Sequence, residues 1–226
     1  MIKAIIFDFD NTLMDFMKMK RAAVEAAVDA MIDAGLTYKK AEMVEKVYQI
    51  YSKEGIEDQA IFDKVLQKEF GKIDYKILAS GIIGYRRAKE GTLALYPHVQ
   101  LTLTRLTGLG IKMAVVSDAP RMPVWLRICG LGLQHYFDTV VTSEDSGVKK
   151  PHAKPFLMAL EKLGSQPSET IMIGDWVERD MVGAKGVGLT TVFARYGDLS
   201  GIEHSGADYE IDDIADLLKI VKKLNH

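Results

Sequence analysis

Two aspartates that lie two residues apart near the N-terminus are the first residues that could do chemistry. Asp8 and Asp10 flank Phe9 and directly follow the apolar run 4–7. In a strand their side chains point to the same side, and two like charges at that separation are costly unless a cation or a proton lies between them. Carboxylate oxygens without nearby Cys or His suit a hard ion such as Mg²⁺. An isolated pair of this kind is more often the start of a solvated loop. Other residues of the chain are therefore needed to distinguish a metal site from such a loop.

Polar side chains also follow two later apolar segments, and a pair of lysines lies between those segments in the chain. Short runs rich in Val, Ile and Met are typical of strands buried on both faces, and ligands of open α/β sheets bind outside the carboxyl ends of such strands. The polar residues at these positions are Ser117 and Asp118, Lys149 and Lys150, and Asp175 with Asp180 five residues further on. They add a hydroxyl, an ammonium group and a second acidic pair to the same edge of the predicted sheet.

The elements that must position these residues follow two patterns. Between residues 16 and 91 apolar residues recur at three- and four-residue spacing, which predicts helices over 17–34, 41–51, 61–70 and 77–88. After Pro97 helices alternate with strands predicted over 112–116, 139–142, 170–173 and 190–193, and this alternation indicates a parallel sheet with right-handed crossovers. We therefore predict an α/β fold, in which residues 1–15 and 92–226 form a Rossmann-like core domain and residues 16–91 form an inserted all-helical domain.

The composition limits the classes of protein to which this chain can belong. The 226 residues, 48% of them hydrophobic, suffice for a full core. Lys and Arg total 29 against 31 for Asp and Glu. The protein therefore has no net positive charge that would attract nucleic acid or an anionic membrane. Cys129 is the only cysteine, which excludes an intrachain disulfide, and its apolar neighbours predict a core position. The N-terminus resembles a strand more than a signal peptide, and no segment reaches membrane-spanning length. We predict a cytoplasmic monomer or homodimer with no nucleic acid or membrane partner.

In this order and strand context, the four motifs from Asp8 to Asp180 resemble those of the haloacid dehalogenase-like hydrolase superfamily. The resemblance is to the phosphatases of subfamily I, which carry a helical cap of the C1 type. It implies a Mg²⁺-dependent phosphomonoester hydrolase that works through an aspartyl-phosphate, with residues 16–91 as a mobile cap. The implied substrate is a small phosphorylated metabolite, such as a sugar phosphate, a triose phosphate or a nucleotide monophosphate.

The resemblance also implies residue roles. Asp8 is the expected nucleophile, and the side chain of Asp10 is the expected general acid and base. Lys150, which directly precedes Pro151, is a better match to the family's catalytic lysine than Lys149, and it is expected to offset charge on the transferring phosphoryl group. The expected metal ligands are Asp8, Asp175 and the backbone carbonyl of Asp10, whereas Asp180 is expected to orient a metal-bound water or to pair with Lys150. The expected substrate contacts are Thr12, Ser117, Asp118 and Lys150, and Thr12 is also expected to hold its turn through a side-chain-to-backbone hydrogen bond.

Other activities on the same motifs stay open at this point. A phosphomutase would carry the same four motifs, and a non-catalytic binding subunit could use the same fold. A 2-haloacid dehalogenase is disfavoured, because the dehalogenases that this chain resembles lack the second carboxylate and do not need the metal, whereas Asp10 and Asp175 are both present. Three basic residues near the end of the insertion, Arg86, Arg87 and Lys89, could contact a second anionic group or simply favour a helix C-terminus.

Overall fold

A computed structural model describes residues 1–225, and within this range six parallel strands form one sheet. The strands are β1 Ala4–Phe7, β2 Lys112–Ser117, β3 Thr139–Thr142, β4 Thr170–Gly174, β5 Thr190–Ala194 and β6 Tyr209–Ile211. Their order across the sheet is β3-β2-β1-β4-β5-β6, and every neighbouring pair is parallel. The predicted α/β fold is confirmed, with β6 as an additional edge strand.

The central position of β1 determines where the candidate site lies. Phe7, the last residue of β1, pairs with Val115 of β2 and Ile173 of β4. The backbone N–H of Asp8 continues this pairing by donating to the Ile173 carbonyl at 2.8 Å. All four residues of β1 are buried, as expected for a strand that helices cover on both faces. The ends of β1, β2 and β4 therefore meet at one edge of the sheet, and their polar residues meet with them.

Helices connect the strands in the crossovers that parallel pairing requires. After the insertion, the α-helices are α5 Val99–Gly108, α6 Arg121–Gly130, α7 Ser143–Ser146, α8 Ala153–Leu163, α9 Val182–Gly186 and α10 Asp216–Asn225. A π-helical turn, Val177–Met181, directly precedes α9. Cys129 is exposed, contrary to the core position predicted for it. The buried side chains of α6 are those of Val124, Arg127 and Ile128, so Cys129 lies off that face.

The chain divides into two compact units: Met1–Asp15 with the chain from Ala94 onwards, and Phe16–Leu93. The second unit contains α1 Phe16–Asp33, α2 Lys40–Glu54, α3 Ile61–Phe70 and α4 Tyr75–Gly91, inserted between β1 and β2. Its own core includes Val28 and Val65. A Cβ at Gly84 would lie 2.6 Å from the Ala26 carbonyl oxygen, so glycine allows α1 and α4 to pack closely.

Within residues 1–225, no helix has both the length and the apolar character needed to cross a membrane.

Candidate functional site

Three carboxylates converge at the ends of β1 and β4. One oxygen from each of Asp8, Asp175 and Asp180 lies within 4.8 Å of the other two. Asp8 follows β1 and Asp175 follows β4, and all three residues are largely buried, with exposed fractions of 9, 8 and 1% respectively for the whole residue. Desolvated like charges this close repel strongly. The arrangement therefore requires compensating cations.

Lys150 supplies one of these cations. Its Nζ donates to Oδ1 of Asp8 at 2.5 Å and to Oδ1 of Asp180 at 2.6 Å, and its side chain is only 3% exposed. The Lys150 backbone is also fixed, because the Asp118 carboxylate accepts a hydrogen bond from the Lys150 backbone N–H at 2.9 Å. Lys149 is exposed. Of the two candidate lysines, only Lys150 contacts the acidic cluster.

Asp180 reaches the cluster through the π-helical turn at Val177–Met181. Its backbone N–H donates to the Trp176 carbonyl at 2.7 Å, and its Oδ2 accepts from the Trp176 N–H at 3.1 Å. A Cβ on Gly174 would collide with the Asp180 carboxylate, so glycine leaves the space that this side chain occupies. π-turns are often found at functional sites. The expected pairing of Asp180 with Lys150 is present, and its carboxylate also joins the group of possible metal ligands.

The pKa values of the cluster reflect burial and crowding. Burial, together with the charges of Asp8 and Asp180, raises the pKa of Asp175 well above its ordinary value. Burial also raises the pKa of Asp8 and raises that of Asp180 to about 7, although Lys150 acts against both shifts. Burial lowers the pKa of Lys150, but the charges of Asp180 and Asp8 outweigh it and the net shift is upward. A lysine that stays charged thus faces three carboxylates that are costly to ionise together.

The residues present fit a hard divalent cation. The cluster offers only oxygen donors, which is the ligand type that Mg²⁺ prefers. When ionised, three carboxylates beside one ammonium leave two negative charges in a desolvated site, and a divalent ion would neutralise both. The donor set thus matches the predicted cofactor in chemistry and in charge.

Asp10 takes a different partner from Asp8. Both oxygens of its carboxylate accept hydrogen bonds from Nη1 of Arg127, at 2.6 and 2.5 Å. Arg127 lies on α6 and was not identified in the sequence, although one signal was available. It falls on the same helix face as Val124 and Ile128, both of which are buried. A charged residue at a buried helical position needs a partner, and that partner is the second aspartate of the pair.

Thr12 and Asn11 shape the loop after β1. The Thr12 hydroxyl donates to Oδ1 of Asp175 at 2.9 Å, so it orients a carboxylate of the cluster and does not make the side-chain-to-backbone bond expected of it. Asn11 adopts a left-handed φ of 61°, which asparagine tolerates better than most residues. The Asn11 carbonyl lies against Gly197, where a Cβ would collide with it. The Tyr196 hydroxyl donates to the Thr12 carbonyl at 2.8 Å.

Ser117 ends β2 beside this loop. It is 3% exposed, and its Oγ accepts a hydrogen bond from the Ala119 N–H at 3.2 Å, which fixes the turn that leaves the strand. The Asp118 carboxylate accepts from the Lys150 backbone N–H through Oδ1, and its Oδ2 lies 3.6 Å from Nη1 of Arg179. The residues of the four motifs therefore lie at the carboxyl edge of the sheet or in the segments that follow its strands, whereas Arg86, Arg87 and Lys89 lie on α4 of the other unit.

Comparisons with known proteins match this chain in sequence and in fold. A family model described as haloacid dehalogenase-like hydrolase matches residues 5–194. A glyceraldehyde 3-phosphate phosphatase of Methanocaldococcus jannaschii is 37% identical over 227 residues, covering 99% of each chain. A HAD phosphatase of Thermococcus onnurineus has the same architecture, with a TM-score of 0.72 at 27% identity, over 97% of this chain and 98% of that one. The HAD-hydrolase YfnB of Bacillus subtilis, solved with magnesium bound, has a TM-score of 0.71 at 22% identity over 97 and 98% of the two chains.

Proposed function

We propose that this chain, which belongs to the haloacid dehalogenase-like hydrolase family, uses Mg²⁺ to hydrolyse small phosphorylated metabolites and that glyceraldehyde 3-phosphate is its foremost candidate substrate. The chain is a phosphatase of this family, a phosphoric monoester hydrolase. The substrate proposal is supported by the relative from M. jannaschii, whose similarity extends over 99% of both chains. The chemistry is supported above all by one observation, the three buried carboxylates that share Lys150.

In the first step we assign the nucleophile to Asp8. A carboxylate oxygen of Asp8 forms a bond to phosphorus while the ester P–O bond breaks, which gives an aspartyl-phosphate and an alkoxide leaving group. Asp10, in its protonated form, donates a proton to that alkoxide, so the first product leaves as an alcohol. Lys150, already in contact with Asp8 at 2.5 Å, offsets the negative charge of the phosphoryl group.

In the second step we assign the base to Asp10. Its carboxylate, ionised after the first step, takes a proton from a water molecule, and the water oxygen attacks phosphorus. The bond between phosphorus and the Asp8 oxygen breaks, which releases inorganic phosphate and returns both aspartates to their starting states. The Ser117 hydroxyl and the backbone amides that follow β2 are assigned to the phosphoryl oxygens.

The cofactor site is assigned to the same carboxylates. Asp8 and Asp175, with the backbone carbonyl of Asp10, would hold Mg²⁺, and Asp180 would orient a water bound to the ion or ligate it directly. When bound, the ion offsets the charge that repels an incoming phosphate dianion. The Thr12 hydroxyl keeps Asp175 in place at 2.9 Å, and Asp118 keeps the Lys150 backbone in place.

The experiment that tests this function is a phosphate-release assay on a panel of phosphate esters. Glyceraldehyde 3-phosphate should be turned over in Mg²⁺, and chelation with EDTA should abolish its turnover. The panel should include a hexose phosphate, phosphoglycolate and a nucleoside monophosphate, so that the three-carbon preference is measured as a ratio of kcat/KM values. Asp8→Asn should remove activity, whereas Asp212→Asn, at an exposed aspartate, serves as the matched control and should retain it.

Two further outcomes would separate the alternatives. A phosphomutase would convert a sugar phosphate to its positional isomer without releasing phosphate, which ³¹P NMR of the reaction mixture detects. A dehalogenase would release halide from a 2-haloacid in the presence of EDTA. Either result, combined with no phosphate release from any ester, would refute the proposed function.

A further inference from the structure

We propose that Arg127 is a positioning residue for the acid and base step: it fixes the Asp10 carboxylate in the orientation that proton transfer requires. This inference rests on the proposed role of Asp10. Arg127 lies outside the four motifs and contacts Asp10 directly.

The geometry restricts the Asp10 carboxylate in two ways. Nη1 of Arg127 contacts both Oδ1 and Oδ2, at 2.6 and 2.5 Å, so rotation of the carboxylate would break at least one of these bonds. The contact also separates Asp10 from the acidic cluster, because Asp8 is paired with Lys150 instead. Asp8 and Asp10 therefore contact different cations, and the Asp10 carboxylate is not among the three that could hold a metal.

Burial indicates which of the two side chains acts on the substrate. The Arg127 side chain is 1% exposed, whereas that of Asp10 is 20% exposed. A buried guanidinium cannot reach a bound phosphate ester without leaving its site, but the carboxylate that it holds retains an accessible edge. Arg127 therefore acts through Asp10 and not on the substrate directly.

Stability alone is a poor reason for this pair. Desolvating an arginine and an aspartate costs about as much free energy as their attraction returns, and well-packed apolar residues often serve equally well. A fixed charge partner is more useful to a group that must transfer a proton in a defined direction, since small displacements of catalytic groups reduce rates severely.

The test compares Arg127→Met with wild type on two esters in saturating Mg²⁺. Glyceraldehyde 3-phosphate has an alkoxide leaving group that needs a proton, whereas p-nitrophenyl phosphate has a phenolate leaving group that does not. The ratio kcat/KM reports the steps up to phosphoryl transfer, so Arg127→Met should lower it by roughly 10- to 100-fold on the alkyl ester and by less than about threefold on the aryl ester. Arg127→Lys, which keeps the charge, should recover part of the loss.

A double-mutant cycle supplies the second readout. If Arg127 acts through Asp10, the variant Asp10→Asn with Arg127→Met should be no slower on the alkyl ester than Asp10→Asn alone. Arg121→Met is the matched control, because Arg121 lies on the same helix and also pairs with an aspartate, Asp145 at 2.7 Å, but is 52% exposed. It should leave both esters unaffected.

The outcomes separate this inference from the proposed function. Equal losses on the two esters, or additive losses in the cycle, would overturn the positioning role while leaving the phosphatase intact. A wild-type protein that hydrolyses neither ester would overturn the function and this inference with it. Circular dichroism and thermal unfolding check that each variant is folded. If Arg127→Met does not fold, Arg127→Lys carries the same comparison, and equal losses on both esters in that variant would overturn the inference.

Discussion

Replacing Lys150 with methionine should destabilise the metal-free protein far more than replacing its neighbour Lys149. Lys150 Nζ contacts Asp8 at 2.5 Å and Asp180 at 2.6 Å, and the three side chains are 3, 12 and 1% exposed. Methionine fills nearly the same volume without the charge. The change therefore isolates the electrostatic contribution, and it leaves three buried carboxylates with no cation from Lys150.

The magnitude follows from that burial. Removing one partner of a buried ion pair typically costs about 3–5 kcal/mol, because the remaining charge is desolvated and uncompensated. For a chain of 226 residues, each kcal/mol lowers Tm by roughly 2–4 °C. We therefore expect Tm to fall by about 6–20 °C at pH 8 in EDTA. The fall should be smaller at pH 5.5, because carboxylates with raised pKa values can then take up protons.

Thermal unfolding, followed by circular dichroism, measures the fall in Tm, and Lys149→Met serves as the control. Lys149 is exposed, so its replacement should change Tm by no more than about 2 °C. Saturating Mg²⁺ at about 100 times Kd stabilises a folded protein by about 2.7 kcal/mol. At one Mg²⁺ concentration common to both proteins, the gain in Tm should be larger for Lys150→Met than for wild type, because carboxylates that have lost the lysine charge bind the ion more tightly. A metal-free Lys150→Met protein as stable as the control would refute the reasoning.

Three further predictions concern the same edge of the sheet. Asp8→Asn should abolish turnover of every phosphate ester while leaving the circular dichroism spectrum unchanged; turnover at the wild-type rate would exclude Asp8 as nucleophile. Metal-free wild type should become less stable as pH rises from 5.5 to 8 in EDTA. A carboxyl whose folded pKa is raised, as that of Asp180 is to about 7, contributes stability at low pH and loses it as pH rises through that value; a Tm that rises with pH would contradict this. Gly197→Ala should lower the free energy of unfolding by about 1–3 kcal/mol and reduce turnover, because its Cβ would collide with the Asn11 carbonyl. Gly186→Ala is the control: open space surrounds this glycine, so its replacement should change neither quantity in the same assays.

The sequence predicted the features that depend on local pattern. Short apolar runs followed by polar residues identified β1, β2 and β4 and the aspartates after them, since parallel strands deliver their carboxyl ends to one edge. The three-residue strand β6 was not identified, because Tyr209–Ile211 is too short to display a period.

Partners that are distant in the chain could not be predicted in the same way. Thr12 meets Asp175 across 163 positions, and Asp10 meets Arg127 across 117. No local rule relates such residues, because the sheet order brings them together. The exposure of Cys129, in contrast, has a local cause. Its neighbours are apolar, but the helical period turns it away from the buried face of α6.

The insertion between β1 and β2 has a consequence for how fast the sheet can form. About a hundred residues separate these paired strands, and the unit Phe16–Leu93 accounts for roughly three quarters of them. Its first and last helices, α1 and α4, pack against each other, so early folding of this unit would bring its two ends together. The loop left to close would be about fourfold shorter, which lowers the entropic barrier by about 1.2 kcal/mol and speeds strand pairing roughly eightfold. Breaking the close contact at Gly84 should therefore slow the refolding of a sheet to which that residue does not belong.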